Sequence, residues 1–201
     1  MEEHGFDAEG VEPSSEAVAL ACELGRKVLS GTLRPVADAV QAGDTRSYDL
    51  IALINVLEHV PNPCSVLKDV RAALSSEGLM CVRVPNDFSL LQEAALAVTG
   101  NERWWITAPD HINYFEAASL QSLLRSHGFK IESVYSDFPM ELFMLLGDDY
   151  VADPSKGPSC HRRRIAFERA VPQHLRREIY ARLGSVGIGR NLTILARVDS
   201  R

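Results

Sequence analysis

"DLIALINVLEHVPNP", residues 49–63, carries an apolar run that ends in Asn55, Glu58 and His59 just before two prolines. An unbroken apolar segment of strand length suits a strand covered on both faces, because helices above and below leave no solvent-facing position. "YDLIALIN" (48–55) is therefore expected in the middle of a sheet, with polar residues at its carboxyl end. "PNPCSVLKDVRAALSSEG" (61–78) then reads as a crossover helix, with Asn62 as N-cap and Pro63 at the first helical position. Val66, Leu67, Val70, Ala73 and Leu74 share one face of it, and Gly78 is its expected stop. "LMCVRVP" (79–85) follows as the next strand, ended by Pro85.

The same alternation extends outward in both directions. "DAEGVEP" (7–13) is a short strand, "SSEAVALACELG" (14–25) a helix capped by Ser14 or Ser15 and closed by Gly25, and "KVLSGTL" (27–33) a second short strand. "RPVADAVQAGDTRS" gives a short helix and turn. Downstream, "FSLLQEAALAVTG" is helical, "NERWWITAPDHINYF" is an aromatic-rich loop able to shape a pocket, and "EAASLQSLLRSHGF" (116–129) is an amphipathic helix capped by Gly128. "KIESVYSDF" (130–138) is a strand, and "NLTILARV" (191–198) the last one. Between them, helical stretches near 140–150, 159–170 and 172–183 predict an insertion packed over one end of the sheet. Strands alternating with helices make this an α/β chain with crossover units on a parallel sheet, expected as a single domain over 1–201.

Composition narrows the function. With 201 residues, a hydrophobic content of 46% and a net charge of −6, the chain can bury a core but lacks the basic field that a polyanion binder needs, so no nucleic-acid partner is expected. Cys22, Cys64, Cys81 and Cys160 show neither CxxC pairs nor Cys/His zinc spacing, which predicts four reduced thiols and no metal site. No apolar leader or membrane-length stretch is visible, so a cytoplasmic location and no membrane partner are expected. The basic run "HRRR" (161–164) reads as a solvated helix face or as partners for Asp148, Asp149 and Asp153.

Ligands of open parallel sheets bind beyond the carboxyl ends of the strands, where loops splay apart and helix N-termini supply donors. Glu12 ends the first strand, and a carboxylate there can accept hydrogen bonds from both hydroxyls of a ribose. It serves equally well as a dipole partner for the helix starting near Ser14. Asn55 faces the expected cleft, whereas Glu58 reads as a helix-dipole partner for the following helix.

"GVEPS", "GTL", "YDLIALINVLEHVPNP", "LSSEGLMCVRVPN" and "DHINYFEAASLQSLLRSHGF", in that order, resemble the class I S-adenosylmethionine-dependent methyltransferases, and most of all their bacterial small-molecule and glycan-cluster branch. The resemblance implies a Rossmann-like, mostly parallel sheet with an antiparallel last strand. It implies S-adenosylmethionine as cofactor and a small polar metabolite or glycan as methyl acceptor. By it, Glu12 is the ribose ligand, Thr32 and Leu33 are adenine-side contacts, and Asn55 and Val56 line the methionine part, with His59 close by. An oxygen acceptor benefits from a general base, and His111, beside Trp104, Trp105, Tyr114 and Phe115, is the candidate because imidazole titrates near neutrality. A loop histidine that only bonds backbone is the competing interpretation, and Tyr114 and Asp110 are the alternative bases.

One part of the family pattern is missing: the first strand with its Gly-rich turn, which in the family lies between the Glu12 strand and the Asn55 strand. "MEEHG" resembles the last turn of the helix that would follow that turn, with Gly5 as its stop, and "GSVGIGRN" (184–191) has the wrong order, helix before strand. Either the two flanking strands close up, or another chain fills the gap, or the chain is a fragment of a longer product. The fragment is the expectation, and exposed sheet edges would favour an oligomer. A non-catalytic remnant serving in association is the alternative, and a nicotinamide-dependent oxidoreductase, whose ribose also suits Glu12, a more distant one.

Overall fold

The computed structural model describes residues 5–199. The first four residues of "MEEHG" lie outside that range; Gly5 itself has a φ of +81°. The caps form as the sequence requires. The Ser14 side chain accepts from Ala17 N ahead of α1 (Ser15–Glu23), and that of Asn62 accepts from Ser65 N ahead of α3 (Pro63–Ala73). Ser89 and Gln92 close a reciprocal capping box on α4 (Leu90–Thr99). The remaining helices are α2 (Arg34–Ala42), α5 (Ala117–Ser126), α6 (Glu141–Leu145), α7 (Gly157–Ala170) and α8 (Gln173–Ser185).

The strands fall into two sheets among the described residues. β1 (Gly10–Glu12) pairs in parallel with β2 (Val28–Ser30). The second sheet has the order β3 (Tyr48–Ile54), β4 (Leu74–Pro85), β6 (Asn191–Val198), β5 (Phe129–Ser136). β3 and β4 run parallel, while β6 is antiparallel to both of its neighbours. This is the expected α/β architecture with an antiparallel last strand.

Two expectations from the sequence are corrected. Among the described residues β3 is an edge strand and not a mid-sheet one: only Leu53 is buried within it, and Ile54 is 47% exposed. Its apolar sequence suits two-sided cover, but no strand pairs with its outer edge among the described residues. The crossover helix, in turn, ends at Ala73, with β4 already beginning at Leu74. Gly78 serves a close approach instead of a helix stop, since a Cβ there would lie 2.9 Å from both the Leu74 side chain and the Tyr48 carbonyl oxygen.

Contacts at both ends fix how the two sheets lie. At the amino ends, the Tyr48 hydroxyl donates to the Glu9 carboxylate, and Arg46 and Lys27 pair with Asp7 at 2.5 and 3.0 Å. At the carboxyl ends, Leu33 packs against the core of the larger sheet and Arg34 reaches Asp69 on α3 at 2.9 Å. β1, β2, β3 and β4 therefore point the same way, and their carboxyl ends open on one side of the molecule.

The core belongs to the four-stranded sheet. Met80, Val82 and Val84 alternate along β4, and Leu192, Ile194 and Ala196 along β6, all fully buried. Leu67 and Val70 of α3 and Leu120 and Leu124 of α5 complete the cluster. Full burial of each Val, Leu, Ile or Met side chain among them stabilises by roughly 1.5–3 kcal/mol. The helical insertion rests on β5 through α8, where a Cβ on Gly184 would lie 2.7 Å from the Tyr135 backbone. Its basic run is an ion-paired helix face, with Arg163 on Asp148 at 2.5 Å and Arg164 on Glu168 at 2.7 Å. All four cysteines are free thiols. No helix among the described residues is long and apolar enough to cross a membrane.

Candidate functional site

The carboxyl end of β3 turns on Asn55, which has a φ of +54° while its N–H still donates to the Arg83 carbonyl at 2.9 Å. A non-glycine residue in the left-handed region carries a local energetic cost that the surrounding structure must hold in place. The turn that follows is locked from the aromatic loop. Asn113 Nδ2 donates to the carbonyls of Leu57 (3.0 Å) and Val60 (2.7 Å), while the N–H groups of Ile112 and Asn113 donate to the Glu58 carbonyl at 2.9 and 3.1 Å.

This docking brings two histidines together. The rings of His59 and His111 meet edge to face with centroids 4.9 Å apart. His59 Nδ1 lies 2.7 Å from the Asp110 carbonyl, which can only accept, so Nδ1 carries a proton and Nε2 is the ring nitrogen left to offer a lone pair. That Nε2 is 3.9 Å from Glu58 Oε1. Glu58 is 1% exposed, and its Oε2 is buried without a hydrogen-bond partner, as is His111 Nδ1.

β4 ends beside the same cluster. Asn86 Nδ2 donates to the carbonyls of Gly187 and Gly189, tying the strand end to the turn before β6. Asp87 N donates to the Phe115 carbonyl at 2.7 Å, and Phe88 has a φ of +57°. The Asp87 carboxyl is pushed up to about 6, first by burial and further by the nearby Glu58 charge. Its Oδ2, the Tyr114 hydroxyl and Trp105 Nε1 are likewise buried and unpartnered, and Phe88 packs edge-on against the rings of Trp105 and Tyr114. An unsatisfied buried polar atom costs about 1–3 kcal/mol, and five of them lie in this cluster.

Of the residues singled out in the sequence, Asn55, Val56, His59 and His111 converge here. Glu12, Thr32 and Leu33 sit at the carboxyl ends of β1 and β2, on the same side of the molecule. Glu12 Oε1 accepts from Ser14 N at 2.8 Å, so one oxygen already serves the α1 terminus. Thr32 is exposed, and Leu33 packs against the core. Glu58 is corrected: α3 starts only at Pro63 under an Asn62 cap, and the carboxylate points into the buried cluster with no role at the helix end. Sequence reasoning passed over Asp87. The strand-end rule that marked Asn55 applies equally to "VPND" after β4 and would have marked it.

A family model described as "Methyltransferase domain" matches residues 1–134. The "C-methyltransferase NovU" of Streptomyces niveus is 26% identical over 132 residues, which is 63% of this chain and 28% of that protein. The chain thus spans under a third of that curated relative. Among solved structures, an S-adenosylmethionine (SAM) dependent methyltransferase from Archaeoglobus fulgidus superposes with a TM-score of 0.58 at 14% identity, over 98% of this chain and 78% of the other. The plantazolicin methyltransferase BamL, solved with a triazolic desmethylPZN analog and SAH, gives 0.51 at 12% identity, over 98% and 71%. At such identities the structural likeness speaks for the fold alone.

Proposed function

The chain belongs to the methyltransferase domain family, and on that premise we propose that it takes part in S-adenosylmethionine-dependent methyl transfer to a small polar metabolite or glycan-type acceptor. The observation that carries this reading is the meeting of Asn55, Glu58, His59, Asp87 and His111 at the carboxyl ends of adjacent parallel strands. The residues suit the nucleoside end of the cofactor. Glu12 keeps acceptor capacity for ribose hydroxyls on the oxygen that Ser14 does not use, and Thr32 follows β2 on the same side. Asn55 and Val56 would face the methionine end, with His59 beside them. When bound, the cofactor supplies an electrophilic methyl on a positively charged sulfur. The part of the protein is to align the acceptor and to assist loss of its proton, a task that suits His111. The aromatic wall of Phe88, Trp105 and Tyr114 suits the flat face of a sugar.

β1 and β3 each keep one edge that no described strand pairs, and side chains alone bridge their amino ends. We assign that gap to one further strand, supplied by additional sequence of the same product or by a second copy, and expect full cofactor affinity only once it is filled. The test is calorimetric titration of S-adenosylmethionine into this chain and into an N-terminally extended form. Saturable heat in the extended form, weakened about tenfold by Glu12→Gln, is the expected result. Heat in neither form would overturn the reading and favour a remnant kept for association.

A further inference from the structure

We propose that Glu58, His59 and His111 bind one divalent first-row transition-metal ion. Each residue offers a ligand atom, and the three atoms lie within 4.8 Å of one another. Ligands about 2.0–2.2 Å from a shared ion stand roughly 3–4 Å apart, so small side-chain shifts close the set. The Glu58 to His59 separation of 3.9 Å is already in that range, and it is too long for a hydrogen bond between them.

Three features distinguish the cluster from an ordinary buried ion pair. His59 presents its Nε2 lone pair inward because Nδ1–H is held by the Asp110 carbonyl, the outer partner that orients a metal-binding imidazole. Glu58 Oε2 and His111 Nδ1 are buried with no partner, although an unsatisfied buried polar atom costs about 1–3 kcal/mol. The His59 side chain, 44% exposed, leaves a path for entry.

Two imidazoles and one carboxylate select zinc, cobalt, nickel or manganese over magnesium and calcium, which prefer all-oxygen sets. Three protein ligands leave positions open for water or for an oxygen of the acceptor, whose pKa the ion would lower. In that case His111 acts through the ion, and the acceptor proton passes to solvent. Ion binding itself needs only these three side chains. The role in acceptor activation rests on the methyl-transfer reading above.

The test starts from chain dialysed against chelator and titrated with ZnCl2, and with CoCl2 as an optical probe. One ion per chain is expected, with cobalt ligand-field bands and no thiolate charge-transfer band, which excludes the free cysteines as ligands. Glu58→Gln and His111→Asn should each weaken uptake by about 100-fold while the circular dichroism of the fold is kept. His59→Gln, at a half-exposed position, gives the same readout should the buried substitutions fail to fold. No stoichiometric uptake, a thiolate band, or unchanged affinity in the variants would overturn the proposal. Titration with S-adenosylmethionine separates it from the functional reading. Cofactor binding without metal uptake removes the ion, and metal uptake without cofactor binding removes only its role.

Discussion

The two sheets of this protein are unequal. β4 and β6 interleave fully buried side chains between Met80 and Val84 and between Leu192 and Ala196, whereas α1 beside the β1–β2 pair buries no residue and leaves Leu20 and Leu24 at 58% and 68% exposure. Both regions have apolar sequences, so hydrophobic content does not explain the difference. What differs is how closely the helices cover the strands. The larger sheet is packed by α3 and α5, while the small one is tied to the rest through α2, a few ion pairs and the Tyr48 hydroxyl. The acceptor side of the proposed site is thus built on a rigid platform, and the nucleoside side on a weakly held one, which is where binding of a ligand or a further strand would add most order.

This contrast can be broken by substitution. Ile194→Ala, in the centre of β6, should destabilise by about 3–4 kcal/mol in urea unfolding, since the removed methyl groups leave a cavity that close-packed neighbours cannot fill. A loss under about 1 kcal/mol would mean that the larger sheet is not the stable body. Asp87→Asn should act in the opposite sense and stabilise the metal-free chain at pH 7.5 by about 1–2 kcal/mol. Its carboxyl is raised from 3.8 to about 6 in the fold, so the native state holds the extra proton between those values and stability falls as pH rises through that window. The advantage of the asparagine variant should therefore shrink toward pH 4, and an advantage independent of pH would remove the buried carboxyl as its cause.

Smaller effects sharpen the other half of the comparison. Tyr48→Phe removes one exposed link between the sheets and should cost about 0.5 kcal/mol globally, while speeding amide exchange in β1 and β2. Equal exchange protection in β1 and β6 of the parent protein would contradict this difference in cover outright. Leu20→Ala should change stability by less than about 0.5 kcal/mol, because its side chain already faces water.

Much of this organisation is legible in the chain itself. Ser14 and Asn62 cap where expected, the strand runs at 48–55, 79–85 and 191–198 form strands, and "HRRR" is an ion-paired helix face. What was not legible has a common origin. Gly78 looks like a helix stop because glycine is the usual one, yet its function comes from Leu74 and the Tyr48 carbonyl pressing on it from another strand. Glu58 looks like a dipole partner because it stands shortly before a helix, yet the aromatic loop docks over its turn through Asn113 and leaves its side chain buried.

By itself the sequence determined the elements, their order and the family, because periodicity, caps and strand-end polarity are local properties that a few neighbouring residues encode. Only the tertiary structure decided that β3 is an edge among the described residues, that Asp87 and Glu58 are both buried near one another, and that His111 meets His59 across 52 positions of chain. Those outcomes depend on which distant segment supplies the covering layer or the missing partner, and burial, charge perturbation and ligand geometry arise only once that layer is in place.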